Sequence, residues 1–285
     1  LSDYGGRDNI TEAELALHKS GKFLGLRANI IANLGAYIGT ATPNPAINNL
    51  GTIAGVYKTP TIFVSVTGVI TNTNTMTPYR GAGRPEAGFI IERIIDIAAT
   101  KLKLDPVELR RINTIPSDAM PFKTGLTFTY DSGEFEKNMD MALDMADFVC
   151  FENRKEESVK RGLLRGIGLS NTIERAAAPG IEAAEIRVNR SGSLTILAGS
   201  CTQGQGHETV FKQIVCDKLG LEMENVNYIW GDTDKVAFGH GAGGSRSATL
   251  GGAAVLMATD KVIEKAKKIG AIPVGFGGKG GGRMV

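Results

Sequence analysis

Three glycine-rich junctions gather polar side chains at points where a ligand could reach bare backbone. Tyr79-Arg80-Gly81-Ala82-Gly83-Arg84-Pro85-Glu86 sets a cation and three small residues ahead of a long apolar-periodic run. Thr202-Gln203-Gly204-Gln205-Gly206-His207-Glu208-Thr209 places two amides and an imidazole around two glycines. Gly241-Ala242-Gly243-Gly244-Ser245-Arg246-Ser247-Ala248 does the same with two hydroxyls and a guanidinium. Each opens a helix by pattern. Glycine lets a ligand approach the main chain with no Cβ in the way, and a helix start offers unpaired N–H groups and the positive end of its dipole. The chemistry expected of such junctions is the binding of an anion or a polar cofactor. A structural reading stands beside it in each case: a tight strand-to-helix turn for Gln203 and Gln205, helix capping for Ser245 and Ser247, surface charge for Arg246 in place of a phosphate partner. His207 reads as a polar first-turn residue, and His18 and His240 share no metal-binding helix spacing with it, so no protein-held metal site is expected.

The elements that must position these loops follow from periodicity. Residues 22–33 and 61–71 are aliphatic and β-branched between turn signals and predict strands. From Glu86 to Leu102, Ile90, Ile91, Ile94, Ile95 and Ala98 recur at helical spacing, with Glu92, Arg93 and Asp96 on the other face. Asp105-Pro106 supplies an N-cap and a first-turn proline for a short helix. Residues 114–132 lose periodicity. A helix capped by Asp131 or Ser132 follows, its apolar side made by Phe135, Met139, Ala142, Met145 and Ala146, and the mixed-sign run Glu152 to Arg161 predicts a solvated helix. Next comes a β region: Gly166 to Thr172, then Ala184 to Val188 and Leu194 to Ala198 as a hairpin through Asn189-Arg190-Ser191-Gly192. Helix 207–219 ends at Gly220 and buries Val210, Phe211, Ile214, Val215 and Leu219. Strand 226–230 and helix 247–268 complete the pattern.

Composition bounds the class. Thirty-seven glycines in 285 residues are nearly twice the usual share of about 7%. A formal net charge of +2 gives no basic field, so neither nucleic acid nor an anionic membrane is expected as a partner. No apolar run reaches the roughly 18 residues of a membrane helix, and Leu1-Ser2-Asp3-Tyr4 has no signal-peptide pattern, which predicts a cytoplasmic protein. Cys150, Cys201 and Cys216 lack CxxC spacing, against a zinc ribbon, an iron–sulfur centre or a disulfide framework. Cys201 adjoins the glutamine loop, where it could border a ligand. Gly275-Phe276-Gly277-Gly278-Lys279 lacks the hydroxyl residue of a P-loop, and the third glycine of a dinucleotide fingerprint is missing after Gly206.

At the arginine loop and at GQGHET the chain resembles the molybdenum-binding large subunit of the xanthine dehydrogenase, aldehyde oxidase and carbon monoxide dehydrogenase family. The likeness covers most of residues 1 to about 268. It implies an α+β fold of molybdopterin-binding domains, incomplete: residues 1–115 finishing the first, 116–155 connecting, 156–285 beginning the second. It implies oxidative hydroxylation of an aldehyde or an electron-poor heterocyclic carbon with oxygen derived from water. The cofactor implied is molybdenum-molybdopterin in its cytosine dinucleotide form, with iron–sulfur and FAD on partner chains of a hetero-oligomer and a small-molecule substrate.

Residue by residue, the resemblance sets Arg80 near the molybdenum centre with Tyr79, Gly81, Ala82 and Gly83 as its cradle. It sets Gln205 beside the metal oxo group, with Gln203, Gly204, Gly206, His207 and Thr209 around the pterin. Ser245, Arg246 and Ser247 fall on the dinucleotide or pterin side, and Leu169, Ser170 and Asn171 on the substrate funnel. Ala82 replaces the substrate-stacking phenylalanine of purine-oxidising relatives, and residues 79–86 hold no cysteine of the kind that carries copper in true carbon monoxide dehydrogenases. The family's first pterin loop and its general-base glutamate, in a later GE segment, match nothing here. The chain also begins without Met, as if cut from something longer. The expectation is a partial site, in a natural fragment, a split subunit or an excised piece, that needs a partner for turnover; a non-enzymatic cofactor scaffold is the rival.

Overall fold

The computed structural model describes residues 3–39, 41–47, 50–174, 176 and 180–270; the glycine motif at 275–279 lies outside them. The chain divides after Glu174 into two compact units, where the sequence places the second domain at 156. The residues between, 156–174, are the end of helix 151–160 and the irregular run after it, and they cluster with the first unit.

The first unit is built on a three-stranded sheet in the order β1-β2-β3, from β1 (Asn9–Leu17), β2 (Phe23–Gly35) and β3 (Ile62–Ile70). β1 runs antiparallel to β2, with Leu15 opposite Leu26 and Ala13 opposite Ala28. β3 runs parallel to β2, with Val64 opposite Ala28. Between β2 and β3 lie the single turn α1 (Asn44–Ile47) and a 3-10 turn at Leu50–Ala54. Inward side chains of the sheet, Phe23, Leu26, Ala28 and Ile30, bury against α2 (Arg84–Leu102) through Ile90, Ile91, Ile95 and Ala98. Ile94 is only half-buried.

Glu92, expected on the solvent face of α2, is instead buried. α3 (Pro106–Asn113) brings the fully buried Arg110 alongside it, and Arg110 Nε donates to Glu92 Oε2 at 2.8 Å and Nη1 to Asp96 Oδ1 at 2.9 Å. The Tyr57 hydroxyl donates to the other Glu92 oxygen at 2.7 Å. Burial pushes the Glu92 carboxyl up from its usual range, while Arg110 and Tyr57 pull it back. A charged residue can sit inside only when paired in this way. Asp105 caps α3 as its position suggests, its Oδ1 accepting from the N–H groups of Val107 and Glu108.

The segment after α3 folds back through the small hairpin β4 (Phe122–Lys123) and β5 (Thr129–Tyr130). α4 (Phe135–Met145) starts after Glu134 without a side-chain cap. The Ser132 hydroxyl bonds Asp131 instead, and the Phe135 ring fills the space that a Cβ on Gly133 would take. Of the expected apolar side of α4, Met139 is buried and Phe135 packs on the core, but Ala142, Met145 and Ala146 are exposed. α5 (Phe151–Lys160) is the solvated helix of the mixed-charge run. Gly166 to Thr172, expected as a strand, is extended but pairs with no strand of the described residues. It is tied down by side chains: Arg110 Nη2 donates to the Leu169 carbonyl at 2.9 Å and Asn171 Nδ2 to the Phe135 carbonyl at 3.2 Å.

The second unit repeats the sheet pattern in the order β6-β7-β8. β6 (Ala184–Val188) and β7 (Leu194–Ala198) form the expected hairpin, with Gly192 at φ 85° in its turn, and β8 (Val226–Ile229) lies parallel to β7. α6 (His207–Leu219) and α7 (Gly252–Gly270) cover it, and Ile196, Phe211, Val215, Val226 and Val255 make the core. Val210, expected inside, is 40% exposed, whereas His207 is buried. Among the described residues no helix is long and apolar enough to cross a membrane.

Candidate cofactor site

In the first unit, the chain between β3 and α2 turns through three successive positive φ angles: Gly81 at 94°, Ala82 at 46° and Gly83 at 96°. A non-glycine residue in that region is strained, so the Ala82 turn is held by its neighbours. The Ala82 N–H donates to the Tyr79 carbonyl at 2.6 Å, and Arg84 N–H to Gly81 at 3.1 Å. Arg84 Nη1 reaches the Gly81 carbonyl at 3.3 Å and pairs with Glu174 at 3.0 Å, a structural role. Tyr79 and Arg80 are exposed, and among the described residues the Arg80 guanidinium meets no acceptor. A cleft of about 410 Å³ beside the loop is lined by Gly81, Arg84, Phe89, Ser170, Thr172 and Glu174. It brings the arginine loop and part of the expected funnel segment to one place; Leu169 turns its carbonyl to Arg110 instead.

In the second unit, β7 runs into the glutamine loop. Gly204 (φ 100°) and Gly206 (φ 79°) have no heavy atom of the described residues within 4 Å of where a Cβ would stand. Gly206 is the N-cap of α6 and no side chain caps that helix, so its first N–H groups lack a side-chain acceptor. Gln205 folds over its own loop: its Oε1 accepts from the Gln203 N–H, and Nε2 reaches the Cys201 carbonyl at 3.4 Å. His207 is a brace, its Nδ1 3.0 Å from the Cys201 carbonyl and its ring stacked on Phe211 at 5.7 Å. Thr209 lies exposed in the first turn of α6. Below the loop the Ser200 hydroxyl is buried with no hydrogen-bond partner among the described residues. Cys201 itself is half-buried at the loop's edge.

The third junction differs from expectation. Ser245 stands at φ 55°, Arg246 is the N-cap, and neither serine caps the helix by its side chain. The Arg246 guanidinium is already engaged, pairing with the buried Glu182 carboxylate at 3.1 Å and donating to the His240 carbonyl at 2.7 Å. Ser247 opens a π turn, Ser247–Gly251, in which the Arg246 carbonyl accepts from both Leu250 and Gly251. π turns recur at functional sites. Gly241 and Gly243 face open space. Sequence reasoning missed Ser200 and Glu182, because only the fold shows that the Ser200 hydroxyl and the Glu182 carboxylate are buried.

These open glycines, uncapped N–H groups and side-chain amides suit a ligand with a polar heterocyclic edge and anionic groups. Residues 1–114 match one family model described as a molybdopterin cofactor-binding domain, and residues 141–276 match a second with the same description. The chain belongs to the molybdenum hydroxylase large-subunit family. It is 36% identical to the carbon monoxide dehydrogenase large chain of Hydrogenophaga pseudoflava, over 93% of this chain and 35% of that one. It is 32% identical to the 6-hydroxypseudooxynicotine dehydrogenase complex subunit gamma of Paenarthrobacter nicotinovorans, over 92% and 34%. Among solved structures of the family, quinoline 2-oxidoreductase from Pseudomonas putida 86 superposes with a TM-score of 0.87 at 29% identity, covering 94% of this chain and 36% of that one. Reconstituted CO dehydrogenase from Oligotropha carboxidovorans gives 0.84 at 33%, covering 93% and 36%. The chain therefore spans about a third of the length of the relatives it matches.

Proposed function

We propose that this chain forms the cofactor-holding part of a molybdenum hydroxylase acting on an aldehyde or an N-heterocycle. The observation that carries the reading is the loop Gln203 to Gly206, where bare glycines and two amides stand ahead of the uncapped α6. When bound, molybdenum-molybdopterin, in its cytosine dinucleotide form, supplies the two-electron oxidation and the delivery of water-derived oxygen to carbon. Gln205 can both donate and accept, and exchanging its bonds within the loop for bonds to a ligand costs little net free energy. The N–H groups at the start of α6 favour an anion. Arg80, exposed at the end of a fixed turn, stabilises negative charge as it develops. The absence of cysteine from residues 79–86 sets carbon monoxide aside as substrate, and Ala82 leaves no stacking ring for a purine. Iron–sulfur and flavin partners in a cytoplasmic hetero-oligomer take the electrons away.

A second reading, a cofactor scaffold without turnover of its own, draws on the nearest carboxylates. Glu208 pairs with Lys212 at 2.6 Å and Glu174 with Arg84 at 3.0 Å, so neither stands ready as a base. We assign the base to polypeptide beyond these residues; positioned bases typically contribute about 10²–10⁴-fold. The deciding experiment is metal analysis with oxidised-pterin fluorescence on protein purified from its own host, with and without Gln205→Ala. Retained molybdenum and pterin that fall in the variant support the reading, and equal content in both overturns the site. Dye-linked aldehyde oxidation at background for the lone chain, restored in the complete complex, supports partial catalysis; none in either leaves the scaffold.

A further inference from the structure

The arginine loop is gripped from outside by a residue 73 positions earlier. Arg7 donates from Nη2 to the Arg80 carbonyl, lies with its guanidinium carbon 5.0 Å from the centre of the Tyr79 ring, and sets Nε 3.4 Å from Glu86 Oε2 in the first turn of α2. The same Nη2 comes within 3.6 Å of the position of a Cβ on Gly81. Arg7 is itself anchored: two residues before it, the Gly5 N–H donates to the Thr75 carbonyl at 2.9 Å and the Gly5 carbonyl accepts from Thr77 at 3.1 Å. Both arms of this clamp are thus fixed by backbone pairing just short of their contacts. A planar fork is the side chain that can hold a carbonyl, stack on a ring and face a carboxylate at once. Because Arg7 takes the Arg80 carbonyl from one side and Arg84 takes the Gly81 carbonyl from the other, the backbone beneath the Arg80 side chain is held at two successive peptides.

We propose that Arg7 is a positioning residue, one that fixes the strained turn of residues 80–83 and so aims the Arg80 guanidinium. The proposal rests on the reading that Arg80 acts on the reaction. Arg7→Lys is the informative variant, because it keeps a cation for Glu86 and removes the fork. The test uses the complete large subunit in its complex, with Arg93→Lys as the control, since Arg93 lines the same groove as Arg7. In Arg7→Lys, amide hydrogen exchange at Ala82 and Arg84 should quicken by about ten-fold. A misaimed group at the reacting centre should cost about 10- to 100-fold in kcat, with KM and molybdenum content within two-fold of the parent. A residue that served stability alone would lower molybdenum content and leave the kcat of loaded enzyme untouched. Unchanged exchange overturns the clamp, and quickened exchange with unchanged kcat overturns the positioning role. Failure of the underlying reading shows separately, as an Arg80→Ala enzyme with undiminished kcat.

Discussion

The glycines of the arginine loop and those of the glutamine loop share a backbone conformation but serve opposite ends. Both loops follow a strand, and both deliver a helix through a glycine N-cap with positive φ and no side-chain cap. At Gly81 the missing Cβ is filled by the protein itself, since Pro85 Cδ stands 2.5 Å from its position. At Gly204 and Gly206 it is left open. The first loop spends its glycine on packing, which fixes an exposed arginine; the second keeps its space clear, which leaves room for a ligand. A glycine-rich motif is therefore two different devices, and only the neighbour of the absent Cβ tells them apart.

Substitutions can break this contrast. Gly81→Ala adds a Cβ in a left-handed conformation and against Pro85, and should cost about 2–5 kcal/mol from strain and overpacking together. A denaturant midpoint close to the parent's would show that the loop can relax and that its glycine is not structural. Gly204→Ala meets only the backbone strain, about 1–2 kcal/mol, yet should strip pterin from the holoprotein, read by oxidised-pterin fluorescence; full pterin content would place the ligand elsewhere. His207→Phe keeps the stack on Phe211 and leaves the Cys201 carbonyl without its imidazole partner, for a loss of about 1–2 kcal/mol. Thermal unfolding unchanged by that substitution would remove the brace from the account of the second loop. The smallest change is expected at α3, which unlike α2 and α6 is capped by its own side chain: Asp105→Ala should cost about 1 kcal/mol. A zero effect would mean that capping carries no weight in this fold, and the comparison of uncapped helices would lose its baseline.

Much of this was legible before the fold was known, because periodicity and turn chemistry are local. β2, β3, α2, the 184–198 hairpin and α6 lie within a few residues of where spacing alone puts them. β1 went unread: Thr11-Glu12-Ala13-Glu14-Leu15-Ala16-Leu17 is rich in helix formers, and it is a strand because β2 offers it a partner. Gly166 to Thr172 erred in the other direction, with strand-like residues and no edge to join among the described residues. Glu92 was placed in solvent because nothing in α2 reveals that Arg110 waits across the helix pair. The candidate site was legible as loops, through glycine, glutamine and arginine, and illegible as supports. Arg7 and Glu182 act at a distance along the chain, where no local rule reaches.

The π turn at Ser247–Gly251 carries one residue more than the α turn it replaces. Elsewhere in a helix, losing a residue rotates everything downstream by about 100°, which would swing a buried face into water. Here the surplus residue can absorb the loss: the turn tightens to an ordinary one while Val255 and Thr259 keep their buried phase. The start of α7 is thus a point that can shed a residue without unseating the helix, and the change is felt at the end that holds Ser247 and Arg246. Length variation, so often fatal inside a helix, becomes at this position a way to retune what the helix start presents.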